Sequence, residues 1–156
     1  MQKFFEEYLS NLEECHNGIL HALDGLSEAA LDWSPGPGMN SITVMIYHLT
    51  GAERYWIGDV AASDPSDRDR DREFQSRGLS ESALKERLES IAEYAQIQLG
   101  SMTIQDLTAS RVSPRDRKQF SVAWALLHAL EHTAIHLGHV QIIRQLWEQS
   151  QSLGEK

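Results

Sequence analysis

A chain of 156 residues, 41% apolar and 24% charged, has material for one well-filled core but not the length of two comfortable domains or the composition of a disordered segment. Its formal net charge of −9, with no Lys/Arg cluster to offset it, repels phosphate backbones and argues against a nucleic-acid partner. The lone cysteine, Cys15, excludes an intramolecular disulfide, and the acid-studded start MQKFFEEYLSNLEE reads as neither signal peptide nor membrane span, so a reducing cytoplasm is expected.

Helical spacing runs first from about Gln2 to Leu23, where Phe4/Phe5, Tyr8, Leu12, Cys15, Ile19 and Leu23 recur on one face. On that spacing Cys15 is a small core residue rather than a reactive thiol. A short turn, SEAALDW, follows from Ser27 and stops at Ser34-Pro35-Gly36-Pro37-Gly38, which cannot be helix. Asn40 or Ser41 then caps a second helix over about 41–61, with Ile42, Met45/Ile46, Leu49, Trp56 and Val60 on its apolar side. Residues 63–78 (SDPSDRDRDREFQSRG) lack apolar periodicity, and the alternating Asp and Arg nearly cancel in charge, so they read as a polar, solvated loop.

Ser80 caps a third helix over about 81–100, carrying Leu84, Leu88, Ile91, Tyr94/Ala95 and Leu99. Residues 101–119 form an irregular crossing with a turn at Pro114. A fourth helix runs from near Ser121 to about Gln149, with 150–156 as a frayed tail. Apolar on most of its circumference, it should be the most buried of the four. No strand-type alternation of useful length appears. The expectation for residues 1–156 is a single all-α domain, an antiparallel-type four-helix bundle with room for a crossover before its third and fourth helices.

Histidine is the compositional oddity: there are seven, and His128, His132, His136 and His139 cluster on the fourth helix. At about 100° per residue they form one polar ridge on an apolar helix. Two imidazoles at i, i+4 can share one metal ion at about 2.0–2.1 Å. His128 and His136 cannot both reach one ion, because they stand ~12 Å apart along the axis. The pair is therefore 128/132 or 132/136, and a third ligand must come from elsewhere.

Candidates for that ligand are His16 and His21 in the first helix and His48 in the second. His21, near a helix end beside Asp24, is a surface residue. His48 sits on the inner side of its helix. The competing reading, a polar seam without metal, would leave several imidazoles buried and unpaired at a cost. The segment His132-Thr133-Ala134-Ile135-His136 lacks the glutamate of an HExxH helix, so a zincin-type peptidase has no general base here. Glu53, Tyr47, His128 and His139 are polar groups that could tune the site. Glu53 could equally pair near Arg54 or with solvent, and Arg144 is solvated or salt-bridged. The four tryptophans are packing residues, with Trp56 placed to edge a pocket.

Two blocks, LSEAALDWSPGPGMNSITVMIYHLTGAERYW (26–56) and SVAWALLHALEHTAIHLGHVQIIRQLW (121–147), resemble the DinB/YfiT-type superfamily of metal-dependent bacterial enzymes. The first matches that family's Asp-Trp–Pro–Pro-Gly–Asn-Ser-Ile loop and the helix carrying its first ligand histidine. The second matches its terminal His-x-x-x-His helix. The resemblance implies a four-helix bundle, His48, His132 and His136 as metal ligands, and zinc or nickel with an open position. It also implies a small-molecule substrate such as a low-molecular-weight thiol, transferase or hydrolase chemistry, a homodimer, and neither nucleic acid nor membrane as partner. A non-catalytic metal-binding or small-ligand-binding bundle is the alternative. The sequence names no catalytic residue beyond the ligands.

Overall fold

The computed structural model describes residues 1–154. The chain folds into α1 (Lys3–Leu23), α2 (Glu28–Leu31), α3 (Ile42–Glu53), α4 (Arg70–Glu73), α5 (Glu81–Gly100) and α6 (Val122–Gly154). α3 continues as π-helix over Arg54–Ala62 and stops at Ser63, whose φ of 56° is left-handed. Ser27, Ser41 and Ser80 cap α2, α3 and α5, their hydroxyls accepting from the N–H groups of Ala30, Val44 and Ala83. Each cap satisfies a donor that the first turn leaves open and contributes about 1 kcal/mol.

Three expectations about the connections and the last helix end are corrected. Residues 101–119 are not wholly irregular: a 3-10 turn (Ile104–Thr108) leads into the antiparallel strands β1 (Ser110–Val112) and β2 (Gln119–Ser121), paired Arg111↔Phe120 at their centre. Strands of three residues are too short to show alternation. The polar segment 63–78 contains a helical turn, α4, capped by Asp69, and Glu73 at its end is buried. α6 extends past Gln149 to Gly154, where Ser150 and Ser152 hydroxyls turn back to the carbonyls of Trp147 and Gln149. Residues 155–156 of the expected tail lie outside the described residues.

α1, α3, α5 and α6 make the four-helix bundle. α1 packs against α5 and α6, and α3 packs against the same two helices, so α1 and α3 face each other across the bundle. The links α1 to α3 and α5 to α6 therefore cross its ends, which accommodates their length.

The interior is divided. One apolar cluster gathers Phe5, Tyr8, Leu12, Tyr55, Trp56, Ile57, Leu99 and Leu126, and a second gathers Ile19, Leu23, Ile42, Ile46, Leu49, Leu84, Leu88 and Val140. Each fully buried large apolar side chain contributes about 1.5–3 kcal/mol. Between the clusters lies a polar layer: His16 on α1, His48 and Glu53 on α3, and Thr133 on α6 are all buried there. α6 is not the most buried helix, because Leu127, Ile135 and Ile142 remain 60%, 51% and 53% exposed along one face. A helix apolar all round has more apolar surface than its two neighbours can cover.

Candidate metal centre

The polar layer brings His48 from α3 against His132 and His136 from α6. One ring nitrogen from each lies within 4.8 Å of the other two. The ring centroids are 5.0 Å apart for His48–His132, 5.2 Å for His48–His136 and 4.4 Å for His132–His136. The Nε2 atoms of His132 and His136 are separated by 3.2 Å. Two nitrogens bound at about 2.0–2.1 Å in tetrahedral geometry stand about 3.3–3.4 Å apart, so the i, i+4 pair already has the bite of a metal chelate.

The outer nitrogens set the tautomers. His48 Nδ1–H donates to Glu73 Oε2 at 3.0 Å, leaving Nε2 as its free lone pair. His139 Nδ1 lies 3.3 Å from His136 Nδ1, and when it accepts the His136 Nδ1–H the His136 Nε2 lone pair is left toward His132. Two lone pairs meeting at this distance repel unless a proton or cation lies between them. His132 Nδ1 is buried without a hydrogen-bond partner among the described residues. Burial, reinforced by the charges of neighbouring imidazoles, lowers the His132 pKa to about 3 and the His136 pKa to about 4. Both rings are thus neutral near pH 7, the form that coordinates metal. Three neutral nitrogen donors with fixed orientation fit a divalent ion.

Aromatic groups wall the cluster. His128 stacks on Trp124 (4.8 Å between centroids, 17° between planes) and meets Trp56 edge-on at 4.8 Å. Phe120 stacks on the far side of Trp124 at 4.3 Å. Phe74, just after α4, lies 4.8 Å from the His48 ring. His128 is therefore a wall residue, outside the three-histidine group.

Glu53 is fully buried and accepts from Thr133 Oγ1 at 2.7 Å and from His16 Nε2 at 2.9 and 3.1 Å. It pairs neither with solvent nor near Arg54, whose guanidinium is held by Asp59 and Asp64. His16 is thereby committed to Glu53, and His21 is exposed beside Asp24. The Tyr47 ring is covered by the Arg87 guanidinium, 3.9 Å above it. Arg144 pairs with Glu148 and donates to the carbonyls of His21, Ala22 and Asp24, closing the end of α1. The Cys15 thiol is pushed up, first by burial and then by the Glu53 and Glu14 charges, away from nucleophilic character.

Sequence reasoning missed Glu73, Arg68 and Phe74. The alternating charges hid them. The available signal was Phe74, the one large apolar residue in 63–78, directly after a carboxylate.

Known proteins bear on both fold and family. The solved structure of a conserved protein from Enterococcus faecalis aligns with a TM-score of 0.78 at 14% identity, covering 96% of this chain and 99% of that one. YfiT from Bacillus subtilis, characterised as a probable metal-dependent hydrolase with an unusual four-helix bundle topology, aligns at 0.75 and 14% identity, covering 93% and 89%. A DinB-like protein from Bacillus cereus aligns at 0.72 and 14% identity, covering 90% of each chain. No curated protein sequence is significantly similar. The family model described as mycothiol-S-transferase matches residues 8–149, nearly the whole chain. The chain belongs to the mycothiol-S-transferase family, and its fold is that of YfiT and the DinB-like protein.

Proposed function

We propose that this protein is a metal-dependent enzyme in which His48, His132 and His136 hold one zinc or nickel ion and a low-molecular-weight thiol is transferred to a small electrophilic substrate. The observation that carries this reading is the convergence of three imidazoles, one ring nitrogen from each, within 4.8 Å across two helices. The family's description supports the thiol, and the description of YfiT makes hydrolysis the neighbouring chemistry.

When bound, a divalent ion with three neutral ligands supplies a Lewis acid that brings the pKa of a thiol or water toward neutrality. The chain supplies the rest. Trp124, His128 and Phe74 flank the cluster with ring faces and edges that exclude water from one side of a bound substrate. His139, exposed next to His136, is placed to exchange a proton with solvent. No described helix is long and apolar enough to cross a membrane. The exposed side chains Leu127, Ile135 and Ile142 share one face of α6 and support a homodimer through that face.

The test is metal content followed by activity. Untagged protein purified without chelator should hold about one zinc or nickel ion per chain by plasma mass spectrometry. His48→Ala, His132→Ala and His136→Ala should each lose the ion, while His128→Ala keeps it. Loaded wild type should then consume thiol in the presence of an electrophile. Metal-free wild type that takes up neither zinc nor nickel would end this reading.

A further inference from the structure

We infer that Glu73, Arg68 and Gly51 form a positioning device that fixes His48 for metal binding; this rests on the three histidines being a metal site. The Glu73 carboxylate is 6% exposed, although it lies in the most highly charged stretch of the chain. Arg68 grips it with two parallel bonds, Nε to Oε1 at 2.6 Å and Nη2 to Oε2 at 2.8 Å. That pair would satisfy the charge without further help. Yet Oε2 also accepts the His48 Nδ1 proton at 3.0 Å. A carboxylate behind an imidazole selects one tautomer, fixes the ring plane and makes the opposite nitrogen a stronger donor. Here that opposite nitrogen is the one facing His132 and His136.

The approach is built into α3. Gly51 lies one turn after His48, and a Cβ at this position would collide with the Glu73 carboxyl group and crowd the Arg68 Nε. The missing side chain is a notch that lets the carboxylate reach the histidine. The other side of the device is α4, whose cap, Asp69, accepts from the Arg72 N–H and starts the turn that ends at Glu73. Phe74, the next residue, then lies against the His48 ring. One short segment thus holds the imidazole by its edge and by its face. Burial pushes the Glu73 carboxyl up, but the hydrogen bonds from Arg68 and His48 outweigh it and hold the group below the usual carboxylate range.

A segment that only anchors the connection to α3 would affect folding but not the metal, so affinity and stability separate the two roles. Zinc affinity would be measured by competition with a chromophoric chelator, and the visible spectrum of the cobalt-substituted protein would report the geometry of the ligands. Apo-protein melting by circular dichroism would check the fold. Wild type should bind one ion. Glu73→Ala and Gly51→Ala should weaken zinc about 10- to 100-fold and alter the cobalt spectrum. Arg68→Ala, which frees the carboxylate but leaves it in place, should weaken zinc by a smaller factor.

Wild-type affinity in a folded Glu73→Ala, or in both Gly51→Ala and Arg68→Ala where Glu73→Ala fails to fold, would overturn the positioning role and leave the metal site standing. A wild type that binds no zinc or cobalt would overturn the metal reading itself.

Discussion

At the scale of single residues, Glu53 is the most deeply buried carboxylate among the described residues. A carboxylate with 0% exposure persists at the centre of a bundle because Thr133 and His16 supply hydrogen bonds to both of its oxygens. Their separation in sequence, 80 residues from Thr133 and 37 from His16, means this trio ties three helices together at one point. His16→Ala should destabilise the protein by about 3–5 kcal/mol in urea unfolding, because it strands the carboxylate. Replacing both His16 and Glu53 with leucine should cost much less than the single change. A double replacement as damaging as His16→Ala would mean that the trio is net stabilising and not merely self-satisfying.

At the scale of elements, α6 carries two faces with different duties. Its histidine ridge turns toward α3, and the adjacent stripe through Leu127, Ile135 and Ile142 faces outward. If that stripe is the proposed dimer face, Ile135→Glu should convert a dimeric sedimentation profile into a monomeric one without changing metal content; an unchanged profile would place the interface elsewhere. The helices and their serine caps could be read from the sequence, because each rests on local spacing, whereas spacing left the histidine pair open between 128/132 and 132/136. The resemblance, rather than spacing alone, singled out His48. What could not be read was non-local: that Glu53 finds His16, and that Glu73 reaches back over the Gly51 notch. Charge alternation between Asp67 and Arg72 looks the same whether its arginines are solvated or, like Arg68, turned inward. Nor does spacing reveal how many neighbours a helix has, which is why α6 looked more buried than it is.

At the scale of the whole molecule, the polar layer links stability to pH. Without metal, burial and neighbouring imidazoles hold His132 and His136 at pKa values of about 3 and about 4, against about 6.5 in the unfolded chain. As pH falls from about 6.5 toward 4, the unfolded chain takes up protons that the folded one refuses, so stability is lost across that window and is unaffected by these groups above it. Apo-protein melting temperatures should therefore climb between pH 4 and 6.5. The climb should be shallower in a His132→Ala, His136→Ala double variant, and identical slopes in the two proteins would refute the assignment.

The order of helices around the bundle also bears on how the chain is made. α1 and α3 are the first two helices of the bundle in sequence but do not cover one another; both depend on α5 and α6 for their cover. α6 is synthesised after α1, α3 and α5, so each half-core keeps a side open until that helix emerges. α6 is then the keystone, and the nascent bundle carries exposed apolar surface until that helix has been made.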